Sequence, residues 1–482
     1  MDLALLVSRM QQQDDRAPQQ QRLYQQLRQM ILQGELAPGS RLPGSRQLAA
    51  DLQVARNSVL FAYEQLGGEG LLHASRRGSC VAAVLSMEQP VMRPQAVSPL
   101  SQRSQPFAGS RSEPDTLDAF TPGVPALREF PMARWQRVLT RQWQQACVEQ
   151  LNYGESAGEP QLREAVAAHV RMSRGVRCDP HQVIITEGTQ HSLSLCAQWF
   201  ADAGSLAWIE DPGYPGARWA MGNAGLQVRG IPLDAEGLAP TPTDWQHPPQ
   251  LIYVTPSHQF PLGNVMSLQR RLALLEQAKR HGSLLIEDDY DSEFRRDGPP
   301  LPAMQGLQPD APVVYLGTFS KTLFPALRLA YMIVPLALLG RVQNWLSRCR
   351  PWGRQVEQLA LAHFIREGEF ARHLRRMRRL YGERRDALNA SLEQHLGGLA
   401  QRTGGAAGMH LSIRLPDAFP DQQIADRAIS QGLVLHSLSS YAMTAEGPKT
   451  NGFILGYAQV PVTRMDEHVA LLARLVKASA KG

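Results

Sequence analysis

The sequence predicts an α/β protein, a mostly parallel sheet with flanking helices, carried behind a small helical head. Three observations lead there. From about residue 117 apolar strands alternate regularly with amphipathic helices, which is the pattern of parallel strand–helix–strand units. Residues 15–85 instead hold short helical patterns separated by tight turns. Between them, residues 86–116 are rich in Pro, Ser, Gln and Arg and poor in large apolar side chains. Such a stretch buries too little surface to offset its ordering entropy and reads as a flexible linker. At 482 residues the chain also exceeds one ordinary core, so several domains are expected.

Composition fits a globular protein, with 43% hydrophobic and 20% charged residues. A net charge of +6 permits binding to a polyanion without demonstrating it. The five cysteines, at 80, 147, 178, 196 and 349, are scattered and form no C-x-x-C pair. That argues for reduced thiols in a cytoplasmic protein, and against a zinc site or a disulfide framework. The opening MDLALLVSRMQQQDD lacks the positive lead of a signal peptide. No apolar run is long enough to suggest a membrane span. The expected location is the cytoplasm, at the nucleoid.

In the head, Leu23, Leu27, Met30 and Ile31 fall on one helical face, and Gly34 is a plausible stop. A second helix follows, with Ser45 as its expected cap and Leu48, Ala49 and Leu52 facing inward. After a turn filled by Val54, a third helix starts near Arg56, Asn57 and Ser58 and buries Val59, Ala62, Tyr63 and Leu66. LLHASRRGSCVAAV then reads as a two-stranded wing with Arg76, Arg77 and Gly78 at its tip. The polar start of the second helix in a helix-turn-helix is where bases and phosphates are met. A plain helical packing module with Arg46 and Arg56 on a solvated face is the competing reading. The ordered string PGSRLPGSRQLA, RNSV, AYEQL and EGLL resembles the winged helix-turn-helix head of GntR-type bacterial regulators. The resemblance implies double-stranded DNA as partner, with Arg46, Arg56, Asn57, Ser58 and the wing near Gly78 at the contact. Gly44 and Cys80 depart from the family's usual Ser and Thr.

Downstream, IEDDYDSEF is an apolar strand ending in Asp288, Asp289 and Tyr290. Ligands sit at such strand ends in α/β sheets. A carboxylate there can hold the protonated ring nitrogen of pyridoxal phosphate, and a Tyr two residues on can reach its phenolic oxygen. GTFSKTLFPALR offers Lys321 for an aldehyde, with Ser320 and Arg328 for a phosphate. EGTQHSLSL opens a helix after a strand, so the amides of Thr189 and Gln190 can face an anion. Tyr214, after the strand SLAWIE, can stack on a ring. Taken singly, each feature has an innocent explanation, such as a helix cap or a surface charge.

Their order and spacing resemble fold-type I aminotransferases over residues 117–480, a fold with a smaller C-terminal α+β subdomain, here about 355–480. With the head, IEDDYDSEFRRDGPPLPAMQGL and YLGTFSKTLFPALRLAYMIVP look like the MocR subfamily of GntR regulators. The resemblance implies pyridoxal phosphate as cofactor and Lys321 as the Schiff-base lysine. It places Asp288 at the pyridine nitrogen, Tyr290 at the phenolic oxygen and Tyr214 against the ring. It puts Thr189, Gln190, Ser320 and Arg328 at the phosphate. It also implies a head-to-tail homodimer in which Tyr153, from NYGESAGEPQLREAV, enters the other subunit's site.

Two departures bear on activity. Phe260 in HQFPLG stands where aminotransferases keep an Asn, and Ile454 in NGFILGYAQV stands where they keep the arginine that clamps a substrate carboxylate. Without that clamp amino-acid binding and orientation should weaken; Arg218 is either an alternative carboxylate partner or, the favoured reading, an ordinary surface charge. The favoured reading is a transcription factor sensing pyridoxal phosphate, an amine or an amino acid on paired DNA half-sites. An active aminotransferase with a vestigial head is the alternative. The arginine-rich helix 372–385 is either a second DNA contact or, as charge runs commonly are, a solvated face.

Overall fold

The computed structural model describes residues 6, 17–75, 78–82, 120–296, 301–349, 353–443 and 450–479. The expected linker, 86–116, lies wholly outside them, as do Arg76 and Arg77. The chain divides into two compact units, residues 1–100 and 101–482. Among the described residues no helix is long and apolar enough to cross a membrane.

The first unit is built from α1 (Gln19–Leu32), α2 (Ser45–Asp51) and α3 (Arg56–Gly68), followed by an antiparallel hairpin of β1 (Leu72–Ser75) and β2 (Gly78–Val81). The apolar positions predicted from spacing form its core: Leu23, Leu27, Leu48, Val59, Ala62 and Leu66 are all fully buried. Tyr63 is half-buried and its hydroxyl donates to the Pro43 carbonyl at 2.8 Å. One expectation is corrected. Gly44, not Ser45, holds the cap position of α2 and no side-chain cap forms. Ser45 is therefore the first helical residue, and its Oγ meets Arg56 Nε at 3.4 Å instead. Leu48→Ala is expected to destabilise this unit by roughly 2–5 kcal/mol through the cavity it leaves. Thermal unfolding followed by circular dichroism would show the shift.

The second unit holds an eight-stranded sheet in the order β3-β10-β9-β8-β7-β4-β5-β6. Its strands are β3 (Val183–Thr186), β4 (Leu206–Asp211), β5 (Gln227–Asp234), β6 (Gly237–Leu238), β7 (Leu251–Val254), β8 (Leu284–Asp289), β9 (Val313–Thr318) and β10 (Ala330–Ile333). Strands β5, β4, β7, β8 and β9 run parallel, whereas β10 and β6 are antiparallel to their neighbours. Helices cover both faces, which is why β3, β7 and β9 are buried at every residue. Helix α4 (Thr189–Phe200) follows β3, and α5 (Pro215–Asn223) follows β4.

A 28-residue helix, α6 (Glu369–Leu396), leads to a smaller four-stranded sheet. That sheet has the order β11 (Gln401–Gly404), β12 (His410–Arg414), β14 (Gly452–Gly456), β13 (His436–Ser437), all antiparallel. The last helix, α7 (Val462–Ser479), packs on α6. Helix α6 is amphipathic: Phe370, Leu374, Met377, Tyr381 and Leu388 are buried while Arg375, Arg376 and Arg379 are exposed.

Candidate functional site

Because β3, β4, β8 and β9 point the same way, the segments leaving their carboxyl ends meet at one edge. At the end of β8 three acids stand in a row, and the pleat separates them. Glu287 accepts the backbone amides of Met304 and Gln305 at 2.9 and 3.1 Å. Asp289, on the same face, is paired with Arg174 at 2.7 Å and takes the Tyr315 hydroxyl at 2.6 Å. Asp288 faces the other way. Its Oδ2 accepts the Tyr253 hydroxyl at 2.8 Å, and its Oδ1 is buried with no hydrogen-bond partner. Burial raises the Asp288 carboxyl to about 7, opposed by the Tyr253 bond and by the charge of Lys321.

Lys321 leaves β9 and lies half-buried over the Thr121–Pro125 turn. Gly123 there has φ +76°, and a Cβ on it would sit 2.8 Å from Lys321 Nζ. That glycine is needed both for its backbone and for the lysine's approach. It was not foreseen from the sequence, and a Gly inside the Pro-flanked TPGVP turn is the one cue. Ser320 follows with its amide on Thr318 Oγ1 at 3.1 Å.

Arg328 closes the same loop in a left-handed conformation, φ +51°. Its guanidinium reaches Gly188, where an added Cβ would stand 3.3 Å away. Gly188, with φ +116°, precedes Thr189 and Gln190 at the start of α4. The first-turn amides of a helix have no intrahelical acceptor. Here they share one corner with the Arg328 guanidinium, a set of donors whose chemistry suits an anion. The Gln190 side chain is spent elsewhere, donating to the Gly216 carbonyl at 3.0 Å. Tyr214 sits just before α5 in edge contact with Phe260, centroids 5.7 Å apart. Burial pushes its hydroxyl up to about 12, with Asp288 adding to the effect.

Tyr290 and its support make a group that sequence reasoning only half found. The Tyr290 hydroxyl donates to the His258 carbonyl at 2.9 Å. His258 Nδ1 lies 3.0 Å from Asp291, and its ring is 4.4 Å from that of His410. All three supporting side chains are buried. Burial and neighbouring His258 hold His410 well below the usual imidazole range, so it is neutral. His258 and Asp291 lie inside the quoted motifs HQFPLG and DYDSEF, but only the tertiary fold brings His410 to them.

Both departures fall in one place. Ile454 is fully buried on β14 and packs with Leu262, Leu438 and Tyr441, with Phe260 against the same cluster. The position of the expected carboxylate clamp is thus part of a dry apolar wall. Arg218 is exposed on α5. Tyr153 stands apart from the Lys321 group, 68% exposed beside exposed Val148 and Leu151.

In the first unit Arg46, Arg56, Asn57 and Gly78 are exposed, and Ser58 is half-buried. Ala55, before α3, gives no side-chain cap. The start of α3 therefore offers unclaimed amides beside Arg56 and Asn57.

Comparison with known proteins agrees with both units. Residues 19–81 match the family model of bacterial regulatory proteins of the gntR family, and residues 126–450 that of aminotransferase class I and II. The chain is 39% identical to the "Probable rhizopine catabolism regulatory protein MocR" of Rhizobium meliloti, over 95% of this chain and 93% of that one. The chain belongs to the MocR-type GntR regulators. It is a DNA-binding transcriptional regulator with an aminotransferase-like domain. The pyridoxine biosynthesis transcriptional regulator PdxR of Corynebacterium glutamicum is 33% identical, covering 90% of this chain and 91% of that one. Among solved structures, the α-aminoadipate aminotransferase LysN of Thermus thermophilus is similar at a TM-score of 0.67 and 28% identity. It covers 75% of this chain and 92% of that one. Its family's fold implies dependence on pyridoxal phosphate, and the family is typically dimeric.

Proposed function

We propose that this regulator binds pyridoxal phosphate at Lys321 and uses it to sense a small molecule, either the cofactor itself or an amine or amino acid. One observation carries the proposal: a buried Asp288 oxygen without a partner, beside Lys321 and across from the Arg328–Thr189 cradle. A protonated ring nitrogen would satisfy that oxygen. When bound, the cofactor supplies an aldehyde that condenses reversibly with amines.

The chain's own residues account for the rest. Lys321 presents the amine. Arg328, Ser320 and the amides of Thr189 and Gln190 would hold the phosphate, and Tyr214 would cover the ring. Tyr290, braced by His258 and Asp291, would meet the phenolic oxygen. A second copy covering Val148 and Leu151 would deliver Tyr153. Phe260, backed by buried Ile454, gives an effector apolar surface where aminotransferases give it a guanidinium. Retention of an effector is then favoured over sustained amino-group transfer. The Corynebacterium relative is named for control of pyridoxine biosynthesis, which supports pyridoxal phosphate as one candidate effector. The effector must bind the two states of the regulator with different affinity to change DNA binding.

Arg46, Arg56, Asn57, Ser58 and the Gly78 hairpin form the proposed DNA contact, on an operator with paired half-sites. Arg56→Ala should weaken operator binding about 5- to 150-fold, the loss of one good base contact. Cofactor absorbance should be unchanged. Fluorescence anisotropy with DNA from upstream of its own gene measures the first, and a visible spectrum the second. Unchanged DNA affinity, or fast and sustained transamination of many amino acids, would count against the sensor reading.

A further inference from the structure

A phenol has one proton to give, and Tyr290 spends it on the His258 carbonyl at 2.9 Å. A group that is to meet a phenolate must donate to it. The Tyr290 hydroxyl therefore has to turn away from that carbonyl when a cofactor arrives, and a neighbour must favour the turned position.

His258 is placed to do so. Its Nδ1 lies 3.1 and 3.0 Å from the two carboxylate oxygens of Asp291 and 3.1 Å from the Tyr290 oxygen. A carboxylate only accepts, so Nδ1 carries the ring proton and Nε2 the lone pair. The Nδ1–H is thus shared between Asp291 and the Tyr290 oxygen. Tyr290 takes that bond as acceptor and is left to act on a third group as donor. Burial, then the charge of Asp291, hold its phenol well above the ordinary range, so it keeps the proton it is to give.

The support is tightly fixed. Asp291 also accepts the Met409 amide at 3.2 Å, and the His410 ring lies 4.4 Å from that of His258. A Cβ on Gly408, where φ is +76°, would stand 2.2 Å from the His258 ring and 2.3 Å from Asp291. Only glycine lets the strand leading into β12 approach the pair this closely.

We propose that His258 and Asp291 are positioning residues that act through Tyr290: the His258 Nδ1–H makes the Tyr290 hydroxyl a donor toward the phenolic oxygen of the cofactor. This rests on the reading that pyridoxal phosphate is held at Lys321. A donor to that oxygen favours the form of the bound cofactor in which the oxygen keeps its negative charge unshared. It therefore lowers the pH at which the visible absorption band changes. The other titratable groups acting on Tyr290 are Asp288 and Asp289 at the end of β8 and Glu210 on β4. His258 also faces His410 on β12, which in turn feels Lys321. None of these is altered in the variants used as the test.

Full-length protein loaded with pyridoxal phosphate is titrated across pH while its visible spectrum is recorded. His258→Leu and Tyr290→Phe should each raise the midpoint of the band change by about 0.5–1 pH unit, the size of one hydrogen bond. His258→Asn, whose amide N–H takes the place of Nδ1–H, should hold it near the native value. His258→Gln places its amide at the far end of the ring's position, so it should behave like His258→Leu and serves if the apolar variant does not fold. Asp291→Asn should lower the midpoint, because a weaker acceptor leaves more of the Nδ1–H to Tyr290 and a nearby anion is lost. In the Tyr290→Phe background His258→Leu should add nothing. An equal shift in that background, or native midpoints in both His258→Leu and His258→Gln, overturns the proposal. Borohydride labelling of Lys321 separates the two readings. A native chain that takes no label loses the cofactor site itself, whereas labelled variants with native midpoints lose only the role of His258.

Discussion

Lys321→Ala should abolish covalent capture of pyridoxal phosphate while a weaker, non-covalent affinity survives. The lysine is held over Gly123 and lies within electrostatic reach of Asp288. Arg328 and the start of α4 do not depend on it, so phosphate binding alone should persist. Mixing with cofactor, reducing with borohydride and weighing the chain gives the readout. The native chain should gain one stable adduct, on the peptide containing Lys321, and the variant none. A variant labelled as fully as the native chain would refute the assignment.

Asp288→Asn is expected to act in opposite directions on the two forms of the protein. Asp288 titrates at about 7 in the folded chain against an ordinary 3.8, chiefly because it is buried. Between those values the folded state holds more protons than the unfolded state. The stability of the cofactor-free protein therefore falls as pH rises from about 4 to about 7 and stays low above it. Asn keeps an acceptor for the Tyr253 hydroxyl and removes the buried charge. At pH 8 the cofactor-free variant should be more stable by about 2–4 kcal/mol, while at pH 4 the difference should vanish. With cofactor the order should reverse, since Asn cannot balance a cationic ring nitrogen, and affinity should drop about 10- to 100-fold. Chemical denaturation at the two pH values, with and without cofactor, would separate these effects. A variant no more stable than wild type at pH 8 would remove Asp288 from its proposed role.

Much of this architecture could be read from the residues. The periodicity of Leu23, Leu27, Met30 and Ile31 marks a helix wherever that segment is placed, because only one face can be buried. Strands such as β9 and β8 announce themselves by the short apolar runs VVYL and LLI, as strands covered on both faces do. The order of motifs from Thr189 to Arg328 likewise located the edge at which a ligand would sit. Ser45 was misplaced because a Gly immediately before it took the cap position in an extended conformation, and residue type alone does not separate those neighbours.

What the sequence by itself determined, then, is the kind of molecule: a GntR-type head and an aminotransferase-like sheet with a lysine after its β9 strand. The tertiary structure decided which of three consecutive acids faces the lysine, since the pleat turns Glu287 toward Met304 and Gln305 and Asp289 toward Arg174 and Tyr315, and turns Asp288 the other way, within electrostatic reach of Lys321. It gathered His410 onto His258 and Asp291 from 119 residues further along the chain. It also put Phe260 and Ile454 into one apolar wall. The reason is common to all of these. Local propensity and periodicity act within a few residues, whereas charge, desolvation and apolar contact act between whichever groups the sheet order brings together.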